Sequence, residues 1–278
     1  VINFAFSTLG LPGAPLDTVV DLARSSGYTG LELRCAEDEP VHTNLNNAER
    51  RTVARALRRA HVTPVALASY IQLAAPGDDG PVLAELRRHI WLAGDIGAHY
   101  VRVFPGGGPK PGAEADRRAV RRLTAVADLA AACGVRIALE THDSHARARD
   151  VARVLAQVGS PGVCAIWDTL HTHLAGDPPQ AAAEELAPYL GYVQVKDIAG
   201  PHNLTPLPLG SGTSSLGPTL DCLRQAHYRG WLVWEYEARW HPHALPLPPL
   251  LSTGRVWLEA ALGRCQPHGA QLADRIAR

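Results

Sequence analysis

The 278-residue chain carries 27 basic and 27 acidic side chains. That balance gives no overall drive toward a nucleic-acid backbone, whose binding takes clustered Lys and Arg. At 46% hydrophobic and 19% charged, the chain can bury a large core, as one globular domain or two small ones. The basic side is skewed: only Lys110 and Lys196 are lysines, and the rest are arginines, a bias that fits a GC-rich coding sequence.

Five cysteines (Cys35, Cys133, Cys164, Cys222, Cys265) are scattered, odd in number and free of any CxxC pair. A disulfide framework or zinc ribbon would show even counts or tight spacing. Free thiols in a reducing, cytoplasmic compartment are expected. No apolar run reaches the length of a membrane span, and VINFAFSTLG reads as a buried strand and not as a signal peptide.

Along the chain, short apolar runs alternate with Ala/Arg/Leu-rich amphipathic stretches. A strand at 2–6 precedes a helix at 15–26, a strand at 30–34 a helix at 48–60, and a strand at 64–68 a helix at 81–96. The pattern repeats with strand 100–104 and helix 114–132, strand 136–140 and helix 145–158, and strand 163–167 and helix 179–187. Strand 192–196 with helix 215–226 and strand 231–235 with helix 248–262 complete it. Strict β-then-α order requires parallel strands with crossover helices. Eight such units predict an α/β fold, a single-domain (β/α)8 TIM barrel over residues 1–263, with 264–278 as a tail or short extra helix. A doubly wound open sheet is the competitor, but TLGLPGAP after the first strand is not GxGxxG.

In such a barrel the chemistry lies at the C-terminal ends of the strands. Strand five ends in Glu140, strand six runs into Asp168, strand seven carries Gln194 and Lys196, and strand eight Glu235 and Glu237. Alternation along each strand points Glu140, Asp168, Gln194, Lys196, Glu235 and Glu237 into the barrel, with Ile137, Leu139, Trp167, Val193, Val195 and Trp234 outward. Carboxylates crowded at one mouth repel and force some to protonate, and a divalent cation resolves this. Oxygen ligands suit Mn²⁺ or Mg²⁺, with Co²⁺ or Zn²⁺ as alternatives. Against this stands the plain reading of strand-end carboxylates paired with arginines.

The segments GYTGLELR, ALETH (138–142), WDTLHTH (167–173), VQVKD (193–197) and LVWEYE (232–237) resemble the xylose isomerase-like TIM barrels. This sugar phosphate isomerase/epimerase group includes ketose 3-epimerases, inosose isomerases and dehydratases, hydroxypyruvate isomerase and endonuclease IV. The resemblance spans strands two to eight. It implies metal ligands at Glu140, Asp168, Gln194 and Glu235; most members carry histidine where this chain has Gln194, a change that favours oxygen-loving metals. It also implies Lewis-acid activation of a ketone, an enediolate, and proton transfer by Glu140 and Glu235 as the catalytic pair.

His171, one helical turn beyond Asp168 if a helix starts there, would bind a substrate hydroxyl or the carbonyl oxygen; Lys196 would stabilise the oxyanion or simply pair with Asp197 or Glu237. His142 lines the pocket or sits in a surface loop. Glu32 and Arg34 both point inward and could pair with each other. His145, His173, His202, His241 and His243 sit in loops and are not candidate ligands. FPGGGPKPG (104–112) lacks the GK[ST] end of a P-loop and reads as a flexible active-site loop. GSGTSSLGP (210–218) leads into a helix with Ser214 or Ser215 as N-cap and could hold an anion there. Segment 197–213 has no Arg or Lys, which argues against a phosphorylated substrate.

The leading expectation is a divalent-metal-dependent epimerase or isomerase of a keto-sugar or keto-cyclitol. The alternative is a dehydratase of a β-hydroxy ketone, inosose- or dehydroshikimate-like, toward which Gln194 leans. Endonuclease activity is disfavoured, because strands three and four lack extra histidines at their ends. A non-catalytic binding protein is the fourth reading. The partner is a small sugar or cyclitol, with no nucleic acid and no membrane, and a homodimer or tetramer is usual for relatives. Specificity would come from loops 35–47, 69–80, 104–113 and 197–213.

Overall fold

A computed structural model describes residues 1–109 and 112–263; the tail expected at 264–278 lies outside the described residues. Eight parallel strands close into a barrel: β1 (Asn3–Ser7), β2 (Gly30–Arg34), β3 (Thr63–Gln72), β4 (Tyr100–Phe104), β5 (Arg136–Glu140), β6 (Val163–Asp168), β7 (Leu190–Val195) and β10 (Trp231–Trp234). Each pairs with its sequence neighbours in the barrel, and β10 closes the ring on β1 through Phe4↔Leu232 and Phe6↔Trp234. All eight expected strands are present; the largest change is β3, which runs on to Gln72 across an irregularity in its pairing with β4.

The crossover helices are α1 (Leu16–Ser25), α2 (Asn47–Ala60), α3 (Asp79–Ile96), α4 (Ala113–Ala132), α5 (Ala148–Val158), α7 (Pro179–Leu186), α8 (Leu216–Gln225) and α9 (Leu251–Gly263). Local chemistry sets their ends. Asn46 and Glu49 form a reciprocal capping box at the start of α2, and Gly97 closes α3 in the left-handed conformation at φ 81°. A six-residue helix α6 (Thr169–Leu174) directly after β6 supplies the helical turn between Asp168 and His171, and an antiparallel pair β8 (Asp197–Gly200) and β9 (Asn203–Leu207) stands in the 197–213 segment, which the sequence reads as loop. No helix among the described residues is long and apolar enough to cross a membrane.

Two apolar cores follow from strand alternation. A small inner one inside the barrel holds Ala5, Val65, Ala66, Ala138, Cys164, Ile166, Tyr192 and Val233. The large outer one, between sheet and helices, holds Leu31, Leu67, Ile137, Trp167, Val193 and Trp234 among many others. Successive residues Ile166 and Trp167 fall in different cores, as a period of two requires. Asp168 continues this alternation into the mouth.

One buried arginine braces the chain between β3 and α3. Arg122 of α4 is fully buried; it donates to the carbonyls of Leu73, Ala75 and Gly77 at 2.8–2.9 Å and to Asp79 Oδ1 at 2.7 Å. Both Arg121 and Arg122 hold the Asp79 carboxyl well below the usual range, despite some desolvation. Arg122→Met should cost about 3 kcal/mol in urea-unfolding free energy, because three carbonyls lose their donor at once. A change below about 1 kcal/mol would mean water takes over those bonds.

Candidate active site at the barrel mouth

The strand ends converge as alternation predicts. Carboxylate oxygens of Glu140, Asp168 and Glu235 lie within 4.8 Å of one another, and all three residues are buried. Gln194 is fully buried beside them, its Nε2 donating 3.3 Å to Glu235 Oε1. Asp168 does double duty. It ends β6 and N-caps α6, Oδ1 accepting from the backbone N–H of Leu170 (2.9 Å) and His171 (3.2 Å). The turn that follows puts His171 at the mouth, as expected from sequence.

Two cations hold this cluster together. The Lys196 ammonium contacts Asp168 Oδ2 at 2.8 Å, Glu237 Oε1 at 2.6 Å, and Glu235 Oε2. It does not pair with Asp197, one of the two plain partners considered for it. Burial alone would lower the Lys196 pKa, but Asp168, Glu235 and Glu237 outweigh it and raise it well above the usual value. The second cation is Arg102 on β4, which is not among the strand-end residues singled out from sequence. Its Nη1 donates 2.8 Å to Glu235 Oε1, and its Nε lies 3.5 Å from Glu140 Oε2. The signal is nonetheless in the sequence, because YVRVF alternates and points Arg102 inward with Val101 and Val103 outward. Burial raises the Glu140 carboxyl well above its ordinary range, with Glu235 and Asp168 adding to it and Arg102 and Lys196 opposing.

Beneath the cluster, Glu32 accepts from the Tyr192 hydroxyl at 2.6 Å and from Gln194 Nε2 at 3.0 Å. The pairing of Glu32 with Arg34 is therefore not formed. Arg34 reaches outward to Asp38 (2.7 Å) and Glu39 (2.6 Å), which lie in its own loop. Its Nε donates 2.8 Å to the Tyr70 hydroxyl. Tyr70 and Trp240 are both substantially exposed and stack edge to face at 6.2 Å, forming one wall of the mouth. Phe104, His142 and His171 continue it, with ring centroids 4.5 Å and 4.0 Å apart. His142 therefore lines the pocket, its ring and that of His171 within reach of Glu140. Burial lowers the His171 pKa to about 4, against the pull of Asp168, so the ring is neutral.

The anion site expected at 210–218 is already filled from within. The Asp197 carboxylate accepts from the backbone N–H of Gly210 and Gly212 (2.9 Å each) and of Ser214 (3.1 Å). Ser215 occupies the N-cap position of α8, yet its hydroxyl pairs with His173 Nδ1 at 2.7 Å. The glycine-rich loop after β4 is tied to the loop after β5, Gly106 N–H donating to Asp143 and Gly107 N–H to Ser144 Oγ at 2.8 Å. His145 is buried and lies 2.9 Å from Asp116.

A family model for the xylose isomerase-like TIM barrel matches residues 20–261. The chain belongs to that family. No curated protein matches this member by sequence, but its fold recurs in solved structures. A D-psicose 3-epimerase with D-tagatose, from Clostridium cellulolyticum H10, superposes at TM-score 0.79 and 16% identity, covering 95% of this chain and 100% of that one. A probable 3-DHS dehydratase of petrobactin synthesis, from Bacillus anthracis, gives 0.76 at 16% identity, with 95% and 100% coverage. A 3-keto-D-glucoside 4-epimerase from E. coli gives 0.74 at 17%, with 94% and 100%. At these identities the likeness establishes the fold.

A divalent ion fits the donor set of this xylose isomerase-like barrel. Gln194 Oε1 is a buried acceptor without a hydrogen-bond partner among the described residues, and Asp168 Oδ2 and Glu140 Oε2 are met only by the charges of Lys196 and Arg102. Buried acceptors are normally satisfied, and a buried amide oxygen on the strand beside Asp168, next to three carboxylates within 4.8 Å of one another, suits a hard cation. Mn²⁺ at a hundredfold excess over its dissociation constant should stabilise the protein by about 2.7 kcal/mol, a rise of roughly 5 °C in Tm. Asp168→Asn keeps the Oδ1 cap of α6 and replaces Oδ2, so differential scanning fluorimetry should show that rise abolished in the variant. An equal rise in both proteins would remove Asp168 from the ligand set.

Proposed function

We propose that this barrel is a divalent-metal-dependent lyase that dehydrates a β-hydroxy ketone bearing a carboxylate, a dehydroshikimate-like substrate. The observation that carries this is the pair of buried cations, Arg102 and Lys196, inside the mouth. An ion bound by the carboxylates that now hold these two side chains would release them to meet an anionic substrate and its developing enolate, charge that a neutral keto-sugar does not bring. The absence of basic residues in segment 197–213 agrees, because a phosphate held at that loop would need them.

Glu140, Asp168, Gln194 and Glu235 would hold the ion, which supplies Lewis-acid polarisation of the carbonyl when bound. His171 stands beside the cluster with its side chain 22% exposed and its Nε2 3.8 Å from Asp168 Oδ2, positioned to take the proton from the carbon next to the carbonyl. The electron pair left behind moves onto the carbonyl oxygen, where Lys196 Nζ compensates the charge. Its return expels the β-hydroxyl, which takes up the proton held on His171 and leaves as water. His142 packs against His171 and limits how the ring can turn. Tyr70, Phe104 and Trp240 form the wall against which a planar, unsaturated product would lie.

The epimerase or isomerase reading shares the first step. It is favoured by the proximity of Glu140 and Glu235, two carboxylates that could exchange protons with opposite faces of a substrate. The readings part on water. With Mn²⁺ and 3-dehydroshikimate the lyase should generate an aromatic dihydroxybenzoate absorbance. With D-psicose or D-fructose in D₂O there should be no exchange of the C3 proton. Sugar exchange without enone or arene formation would overturn the lyase. Lys196→Met and Arg102→Lys should each lower kcat/KM by about a hundredfold or more in steady-state assays. A wild-type value in Arg102→Lys would show that charge alone, without the forked geometry, suffices.

A further inference from the structure

Gln194 has two chemically different ends, and only its oxygen can bind a cation. The amide sits between two carboxylates, Glu32 Oε2 at 3.0 Å and Glu235 Oε1 at 3.3 Å, both taken up by Nε2. Turning the amide over would set its oxygen against those same acceptors and put its N–H groups where Oε1 now stands, on the strand registered beside Asp168. Glu32 is itself fixed. It is fully buried on β2, opposite Ser7 of β1, and its Oε2 also accepts from Tyr192, which faces the interior two residues before Gln194 on β7. Gln194 Oε1 is left buried and without a partner.

The structure assigns Glu32 as the residue that positions Gln194, with Tyr192 anchoring it, so that the amide presents oxygen and not nitrogen to a divalent cation. This rests on the metal-dependent reading above and adds a residue of β2 that touches neither substrate nor ion. In members with histidine at this strand position the ring would have a nitrogen on either side. An amide offers one usable end, so the neighbour that selects that end becomes a condition for metal binding. Partners of this kind typically change metal affinity by about 10–100-fold.

The substitutions separate orientation from charge. Glu32→Gln retains a carbonyl oxygen that can take over both bonds of Oε2, while Glu32→Leu retains none. Mn²⁺ titration followed by electron paramagnetic resonance should show wild-type and Glu32→Gln binding within about threefold, and Glu32→Leu at least tenfold weaker. In a Gln194→Ala background Glu32→Leu should cause no further loss, because its effect passes through the amide. The double variant Glu32→Leu/Tyr192→Phe removes the hydroxyl that the single change strands; it should match Glu32→Leu in affinity and serves if that protein fails to fold, as judged by circular dichroism. Undiminished binding in Glu32→Leu, or in the double variant, overturns the assignment. So does a Glu32→Gln protein as weak as Glu32→Leu, which would make Glu32 a source of charge. Wild-type protein that binds no Mn²⁺ overturns the metal-dependent reading as well, which distinguishes the two failures.

Discussion

Too much negative charge in too little water is the constraint on which the mouth of this barrel depends. Glu32, Glu140, Asp168 and Glu235 are all buried there, and Glu237 adjoins them through Lys196. Such groups cannot all remain ionised without compensation. The chain supplies two cations of its own, and they act differently. Arg102 lies between Glu140 and Glu235 as a planar fork backed by the ring of Phe104 at 4.5 Å. Lys196 is a point charge shared by three carboxylates. Glu32 Oε1 and Gln194 Oε1 still lack a hydrogen-bond partner among the described residues, and the buried carboxylates outnumber the two cations, which leaves room for a further positive charge.

The same constraint organises the surroundings. Asp168 can be held rigidly because it ends a strand and caps a helix at once. Asp197, the next residue after Lys196, faces away from the mouth and gathers the backbone of 210–214, so loop and cluster are fixed from adjacent positions of one strand end. A side chain at Gly212 would collide with Asp197 and with the Ile198 carbonyl, so the glycine there is a steric requirement. The aromatic wall from Trp240 to His171 closes one side of the pocket with surfaces that carry little charge.

Strand order and inward alternation were legible because both are local, periodic properties. A run such as RIALE or YVQVK states its own two faces, and Glu140, Gln194 and Lys196 came together as read. Arg102 and Tyr192 carried the same signal; each is at an inward position of a recognised strand. What the sequence could not convey was which side chains meet across the barrel. Glu32 reaches Tyr192 and Gln194, 160 and 162 residues away, whereas Arg34 prefers acids four and five residues along its own loop. Whether two inward charges pair depends on strand stagger and side-chain reach, and neither is encoded in a single segment. The β8–β9 pair was hidden for a different reason: HNLTPLPL has no clear alternation, and its two short strands are defined only by pairing with each other across a two-residue turn.

The proposed cation would stand where Lys196 now bridges Asp168 and Glu235. A crystal structure of the protein grown with Mn²⁺ tests this directly. The expected result is a single ion bound by Glu140, Asp168 and Glu235 with Gln194 Oε1 at about 2.0–2.4 Å, and the Lys196 ammonium withdrawn from Asp168 Oδ2 toward Glu237. An ion bound elsewhere, or Lys196 still seated between Asp168 and Glu235 at saturating Mn²⁺, would contradict it.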